Sequence, residues 1–232
     1  MTGLPSLSDL SVMHFASRRV RVKICCISSP AEAQLAIEVG ADALGLVSAM
    51  PSGPGVIGED VIRSIADAVA PPVSTFLLTS EVEAAPIIAQ QKRCATSVLQ
   101  LVDHVEPQGQ AALREALPGI KIVQVVHVVD DSAVAQALMY AKQVDALLLD
   151  SGNPNLSVKE LGGTGRTHNW DISKEIVARA SVPVFLAGGL NPQNVAKAVE
   201  YVRPFGLDIC SGVRTDGALD KDKLAAFFAA IH

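Results

Sequence analysis

The sequence predicts a closed (β/α)8 barrel, and two observations carry that prediction. Short Val-, Ile- and Leu-rich runs of the kind that make fully buried parallel strands alternate with longer Ala-rich stretches whose apolar residues recur at helical spacing, and eight such units fit in 232 residues. The first strand is followed by CCISSPAEAQ and not by the glycine fingerprint of an open, doubly wound dinucleotide fold.

Strands are expected at 20–27, 41–48, 72–78, 97–102, 121–128, 145–151, 183–189 and 206–212. Helices are expected after Ser29, after Glu59-Asp60, after Ser80, in EPQGQAALREAL, after Asp131-Ser132, after Asp171, in NPQNVAKAVEYV and in DKDKLAAFFAAI, mostly at residues that cap helix N-termini. No linker rich in Pro, Gly or Ser divides the chain. Residues 20–232 therefore read as one barrel, a single (β/α)8 TIM barrel with a short N-terminal extension at 1–19, where DLSVMHFASR is expected to make an extra helix or a dimer contact.

Composition narrows the function. Hydrophobic residues are 49% of the chain and charged ones 19%, so apolar burial offsets chain entropy and the protein folds. Acidic residues outnumber basic ones 24 to 19, without a basic stripe, so no nucleic acid is expected as partner. No apolar run reaches the roughly 18–20 residues that span a bilayer, so no membrane is expected either. Arg18, Arg19 and Arg21 follow the N-terminal stretch instead of preceding an apolar core, which is not the order of a secretory signal, so a cytoplasmic location is expected. The four cysteines, Cys25, Cys26, Cys94 and Cys210, match neither a disulfide framework nor metal-ligand spacing and read as reduced thiols. His14, His104, His127 and His232 join no metal constellation, and no metal is expected.

In such a barrel the active site lies at the carboxyl ends of the strands. Gly188-Gly189 after strand seven and Cys210-Ser211-Gly212-Val213 after strand eight can present backbone amides to an anion, and those two loops are the usual phosphate position of the fold. Taken singly, glycine pairs only make tight turns; the pairing of both loops favours a phosphate. Gly162, Gly163 and Gly165 lie in a long loop after strand six, either a lid or simply a mobile connection. Cys25 and Asp150 end strands one and six. A thiolate can take a proton from carbon and a carboxylic acid can protonate a ring oxygen, so the pair fits isomerisation of a sugar phosphate, although a buried cysteine can be a mere hydrophobe and a strand-end aspartate a helix cap. Cys26, alternating away from Cys25, is expected to pack against a helix.

VKICCIS (22–28), GADALGLV (40–47), LLLDS (147–151), GGTGRTHNW (162–170), LAGGLNPQNV (186–195) and GLDICSGV (206–213) resemble, in order, the motifs of the phosphoribosylanthranilate isomerase family of tryptophan biosynthesis. The resemblance covers nearly the whole chain after Val20. It implies a cofactor-free single barrel performing an Amadori rearrangement of an aminoaldose phosphate, as monomer or homodimer. It further implies Cys25 as general base at sugar C2, Asp150 as general acid at the furanose oxygen, Gly188, Gly189, Ser211 and Gly212 around the phosphate, and Asp208 near the sugar hydroxyls.

Four departures cluster on the aromatic side. Gly55, in SGPGVIG (52–58), stands where the family's SPR places the arginine that grips the anthranilate carboxylate; Cys26 replaces the glycine of KICG; QLVD at 100–103 replaces QLHG; His168-Asn169-Trp170 replaces Phe-Asp-Trp. Arg166, Lys23 and Arg214 are candidate replacements for the missing cation, and Asp103 would repel a carboxylate if it faced the pocket. The leading expectation is a phosphoribosylanthranilate isomerase. The alternatives are a paralogue acting on another phosphorylated sugar and, third, a non-enzymatic phosphometabolite-binding protein.

Overall fold

The computed structural model describes residues 19–231. The segment DLSVMHFASR, His14 and His232 lie outside the described residues.

Eight parallel strands close into a barrel in sequence order: β1 (Arg21–Ile24), β2 (Ala43–Val47), β3 (Ser74–Thr79), β4 (Val98–Leu101), β5 (Lys121–His127), β6 (Ala146–Asp150), β7 (Val184–Leu186) and β8 (Gly206–Ile209). The closing seam pairs Arg21 with Gly206 through Ile24 with Ile209. Around the barrel stand α1 (Pro30–Glu38), α2 (Glu59–Ala68), α3 (Ala84–Cys94), α4 (Pro107–Ala116), α5 (Ser132–Tyr140), α6 (Trp170–Arg179), α7 (Val195–Val202) and α8 (Lys221–Ala229). The expected fold class is the observed one.

The period-two alternation of each strand builds two layers. Val22, Ile24, Leu44, Leu46, Leu147 and Leu149 point outward into a continuous core beneath the helices. Ala43, Phe76, Val98, Val123, Leu148 and Phe185 fill the barrel interior. Where the interior is crowded, a missing side chain makes room. A Cβ on Gly206 would lie 2.5 Å from the Phe185 ring, and one on Gly45 would lie 2.8 Å from Cys25 Sγ.

Several boundaries differ from expectation for identifiable reasons. The expected strands at 20–27 and 183–189 end early because Cys26 (φ +61°), Gly188 (+81°) and Gly189 (+61°) take left-handed backbone that no strand continues through. After β8 the chain enters a 3-10 turn at Ser211–Val213 and a small antiparallel ribbon, β9 (Arg214–Thr215) with β10 (Ala218–Leu219), which period analysis did not anticipate. Ser29 caps α1 as expected, its Oγ accepting from the Glu32 N–H at 3.2 Å. Ser80 caps nothing. Its hydroxyl donates to the Ala49 carbonyl, and α3 starts four residues later. Asn169, not Asp171, caps α6, and the Asn191-Pro192 turn precedes α7 instead of opening it, with Asn191 Oδ1 accepting from the N–H groups of Gln193 and Asn194.

Candidate functional site

An open cavity lies at the carboxyl ends of the strands, with about 720 Å³ of empty space including the solvent at its mouth. Cys25, Asp150, Gly162, Gly163, Gly165, Gly188, Gly189, Asp208 and Ser211 all line it. These residues come from five segments spread over the chain, so their convergence is the work of the barrel topology. Gly212 does not line the cavity. It sits where the two C-terminal loops touch, and a Cβ there would lie 2.1 Å from the Leu190 carbonyl oxygen.

Cys25 follows β1 and is 7% exposed, its side chain entering the interior beside Gly45. Asp150 ends β6, and its Oδ1 accepts from the Ser151 N–H at 2.7 Å. The Gly162 backbone lies so close that a Cβ would come within 2.7 Å of Asp150 Oδ2. The same loop is tied down by Ser151 Oγ to Thr164 Oγ1 at 2.6 Å and by Ser52 Oγ to the Lys159 carbonyl at 2.7 Å, and Gly163 fits against Pro54 only for want of a side chain.

The cavity floor is charged. Lys23, fully buried on β1, donates to Asp208 Oδ1 on β8 at 2.9 Å and lies 5.3 Å from the centre of the Phe76 ring. Burial opposes the Lys23 charge, yet the adjacent Asp208 carboxylate keeps the ammonium protonated beyond the usual lysine range. Burial likewise pushes the Asp208 carboxyl up while Lys23 pulls it down. A buried ion pair is costly to break from one side, because the survivor is an uncompensated charge.

None of the candidate replacement cations is free to meet a carboxylate. Lys23 is engaged by Asp208; Arg214 is engaged by Glu32 at 3.0 Å and by the Cys26 carbonyl at 2.5 Å; Arg166 pairs with Glu160 on the outside of the loop. Asp103 does not face this cavity. It pairs with Lys159 beside a neighbouring polar pocket that also contains His104 and His127. Those two histidines are anchored by Tyr140 Oη at 2.6 Å and the Val102 carbonyl at 3.0 Å. Cys94 is buried in the helix layer. Among the described residues no group of three or more His, Cys, Asp or Glu is arranged to hold a metal ion. Nor is any described helix long and apolar enough to cross a membrane.

Cys26 corrects an expectation. Its positive φ breaks the strand alternation and turns the side chain into the cavity instead of toward a helix. There Cys26 Sγ lies 2.8 Å from Cys210 Sγ and 3.7 Å from the Pro54 carbonyl. Sequence reasoning did not single out Pro54, Thr164 or the buried Gln100 as cavity residues, and it read Cys210 for its backbone amide and not for its thiol. The one available signal was that the residues after β1 and β8 must be neighbours once the barrel closes.

His168 lies behind the phosphate-loop candidates, its Nδ1 3.0 Å from where a Gly188 Cβ would be and its Nε2 2.6 Å from Ser173 Oγ. Burial lowers its pKa to about 4, against the pull of Asp150.

The sequence profile of "N-(5'phosphoribosyl)anthranilate (PRA) isomerase" matches residues 22–230. The chain is 37% identical over 226 residues to the N-(5'-phosphoribosyl)anthranilate isomerase of Methanopyrus kandleri, covering 91% of this chain and 98% of that one. The phosphoribosyl anthranilate isomerase structure from Thermotoga maritima superposes with a TM-score of 0.77 at 30% identity, covering 91% of this chain and 98% of that one. A phosphoribosyl anthranilate isomerase in complex with reduced 1-(o-carboxyphenylamino)-1-deoxyribulose 5-phosphate superposes with a TM-score of 0.75 at 28% identity, with the same coverage. Matched along its length in sequence and in fold, the chain belongs to the phosphoribosylanthranilate isomerase family, the Amadori-type isomerases of tryptophan biosynthesis.

Proposed function

We propose that this chain isomerises N-(5-phosphoribosyl)anthranilate to the 1-deoxyribulose 5-phosphate product, with Asp150 as general acid and Cys25 as general base. The supporting observation is that one cavity gathers the Cys25 thiol, the Asp150 carboxyl, Gly188 and Gly189 after β7 and Ser211 after β8. Asp150 protonates the furanose oxygen, the C1–O bond breaks, and the anilino nitrogen lone pair forms the iminium. The Cys25 thiolate then removes the C2 proton, and the electron pair flows into the iminium to give an enaminol that tautomerises to the ketone. The phosphate is assigned to the amides around Gly188, Gly189, Ser211 and Gly212. At Gly188 and Gly189 two successive left-handed glycines leave backbone amides unshielded by side chains. Asp208, fixed by Lys23, is assigned to the sugar hydroxyls, and the 162–165 loop to the lid. A phosphosugar is the one partner this reading requires, and a cytoplasmic location goes with it.

Fluorescence of the anthranilate substrate, generated in situ, tests the assignment with wild type, Cys25→Ala and Asp150→Asn. Wild type is expected to consume the signal, with each variant slower by about a hundredfold or more. No turnover by folded wild type overturns it.

Gly55 and the engaged cations favour a second reading, in which the substrate's aromatic ring lacks a carboxylate. The N-(5-phosphoribosyl)aniline analogue separates the two. A kcat/KM higher for the analogue than for the anthranilate substrate supports the second reading; the reverse order supports the first.

A further inference from the structure

Beyond the isomerase chemistry, we propose that Cys26 and Cys210 form an oxidisable dithiol at the cavity mouth, a modification site that reacts with low-molecular-weight disulfides and spares Cys25. The two sulfurs lie 2.8 Å apart on loops that leave adjacent strands of the closing seam, and both residues line the open cavity. A disulfide needs them at about 2.05 Å, a sub-ångström approach of two loop ends. Neither thiol has a part in the proton transfers proposed above.

The two sulfurs are also unlike. The neighbouring Cys26 thiol and the Arg214 guanidinium hold Cys210 below the ordinary thiol range, against burial, whereas Cys26 keeps its proton and is raised by its sulfur neighbours and by burial. Cys210 is therefore the attacking sulfur. Its thiolate displaces one glutathione thiolate from glutathione disulfide and forms a mixed disulfide. Cys26 then loses its proton and attacks the Cys210 sulfur, expelling the second glutathione. Two protein thiols are oxidised, one glutathione disulfide is reduced, and the two thiol protons end on the two glutathiones.

The backbone supplies the control. Cys26 has a φ of +61°, which glycine adopts without strain, so Cys26→Gly removes the thiol without disturbing the fold. Wild type, Cys26→Gly and Cys210→Ser are exposed to glutathione disulfide, denatured under acid, alkylated and weighed intact, then mapped as peptides. Wild type is expected to lose two of its four titratable thiols, so that it takes up two alkyl groups instead of four and weighs two hydrogens less before alkylation, to yield a Cys26–Cys210 cross-linked peptide, and to recover all four thiols in dithiothreitol. Cys26→Gly is expected to stop at a glutathione adduct on Cys210. Four thiols retained in wild type, a wild-type adduct that never resolves, or a cross-link through Cys25 or Cys94 overturns the proposal. The readout counts thiols and not turnover, so it stands apart from the isomerase reading.

Discussion

Cys26 fills the space that a side chain at position 55 would need: a Cβ on Gly55 would fall 2.5 Å from Cys26 Cβ and 2.9 Å from its Sγ. By the resemblance read from the sequence, Cys26 stands where the family pattern has a glycine and Gly55 where it has an arginine. A side chain at position 55 and the Cys26 side chain would compete for one volume.

Gly55→Arg alone is expected to cost about 1–3 kcal/mol through overpacking. In a Cys26→Gly background the two side-chain contacts disappear and most of that cost should vanish, leaving a 3.0 Å approach to the Cα of residue 26 and the strain of the φ of +81° at position 55. Urea unfolding of the four proteins in the cycle measures the coupling, expected at about 1 kcal/mol or more. Additive single-variant effects would refute a shared volume.

Gly45→Ala tests how Cys25 is positioned. A methyl group 2.8 Å from Cys25 Sγ must push the sulfur aside, and displacement of a reacting group by about 1 Å costs on the order of a hundredfold in rate. The expected result is a folded protein with kcat reduced about 10- to 100-fold and KM little changed. Full activity would show that the sulfur has room to spare.

Lys23→Met removes one half of the buried pair and leaves the buried Asp208 without its cation. A loss of about 3–5 kcal/mol is expected by chemical denaturation. Lys23→Met with Asp208→Asn should recover part of that loss, because the stranded charge is gone. Equal losses in the single and double variants would mean that packing, not charge, dominates.

His168 makes stability depend on pH. Its folded pKa of about 4 lies below the ordinary 6.5, so the unfolded chain binds the proton more readily. The stabilisation is complete above pH 6.5 and is lost as pH falls from 6.5 toward 4. Partial solvent access tempers the effect to about 1–2 kcal/mol between pH 6.5 and 5. Urea midpoints for wild type and His168→Gln across that range check it, and parallel pH dependences would sink the assignment.

The barrel was legible because each strand is buried on both faces and each helix on one, and hydrophobic period reports that directly. Cys25, Asp150 and the glycine loops were legible because they sit at strand ends in ordered motifs. Cys26 was misread because alternation holds only while the backbone stays extended, and a positive φ at a non-glycine residue leaves no mark in hydropathy. The fates of Lys23, Arg214 and Asp103 depend on partners up to 185 positions away, Asp208 for Lys23 and Glu32 for Arg214, which no local pattern names.

Three side-chain pairs are among the contacts that cross the β1–β8 seam, Lys23 with Asp208, Cys26 with Cys210 and Glu32 with Arg214, each joining residues more than 180 positions apart. Until Asp208 has been made, Lys23 lacks the carboxylate that accompanies it in the folded barrel. The first and last strands are thus joined by polar chemistry that is incomplete until both exist. Joining the termini and reopening the chain at the Gly119 turn, where added atoms meet nothing within 4 Å, would place those partners on the order of fifty residues apart. Loop-closure entropy then falls by about 1 kcal/mol, and both sides of the seam would be made well before synthesis of such a permutant ends.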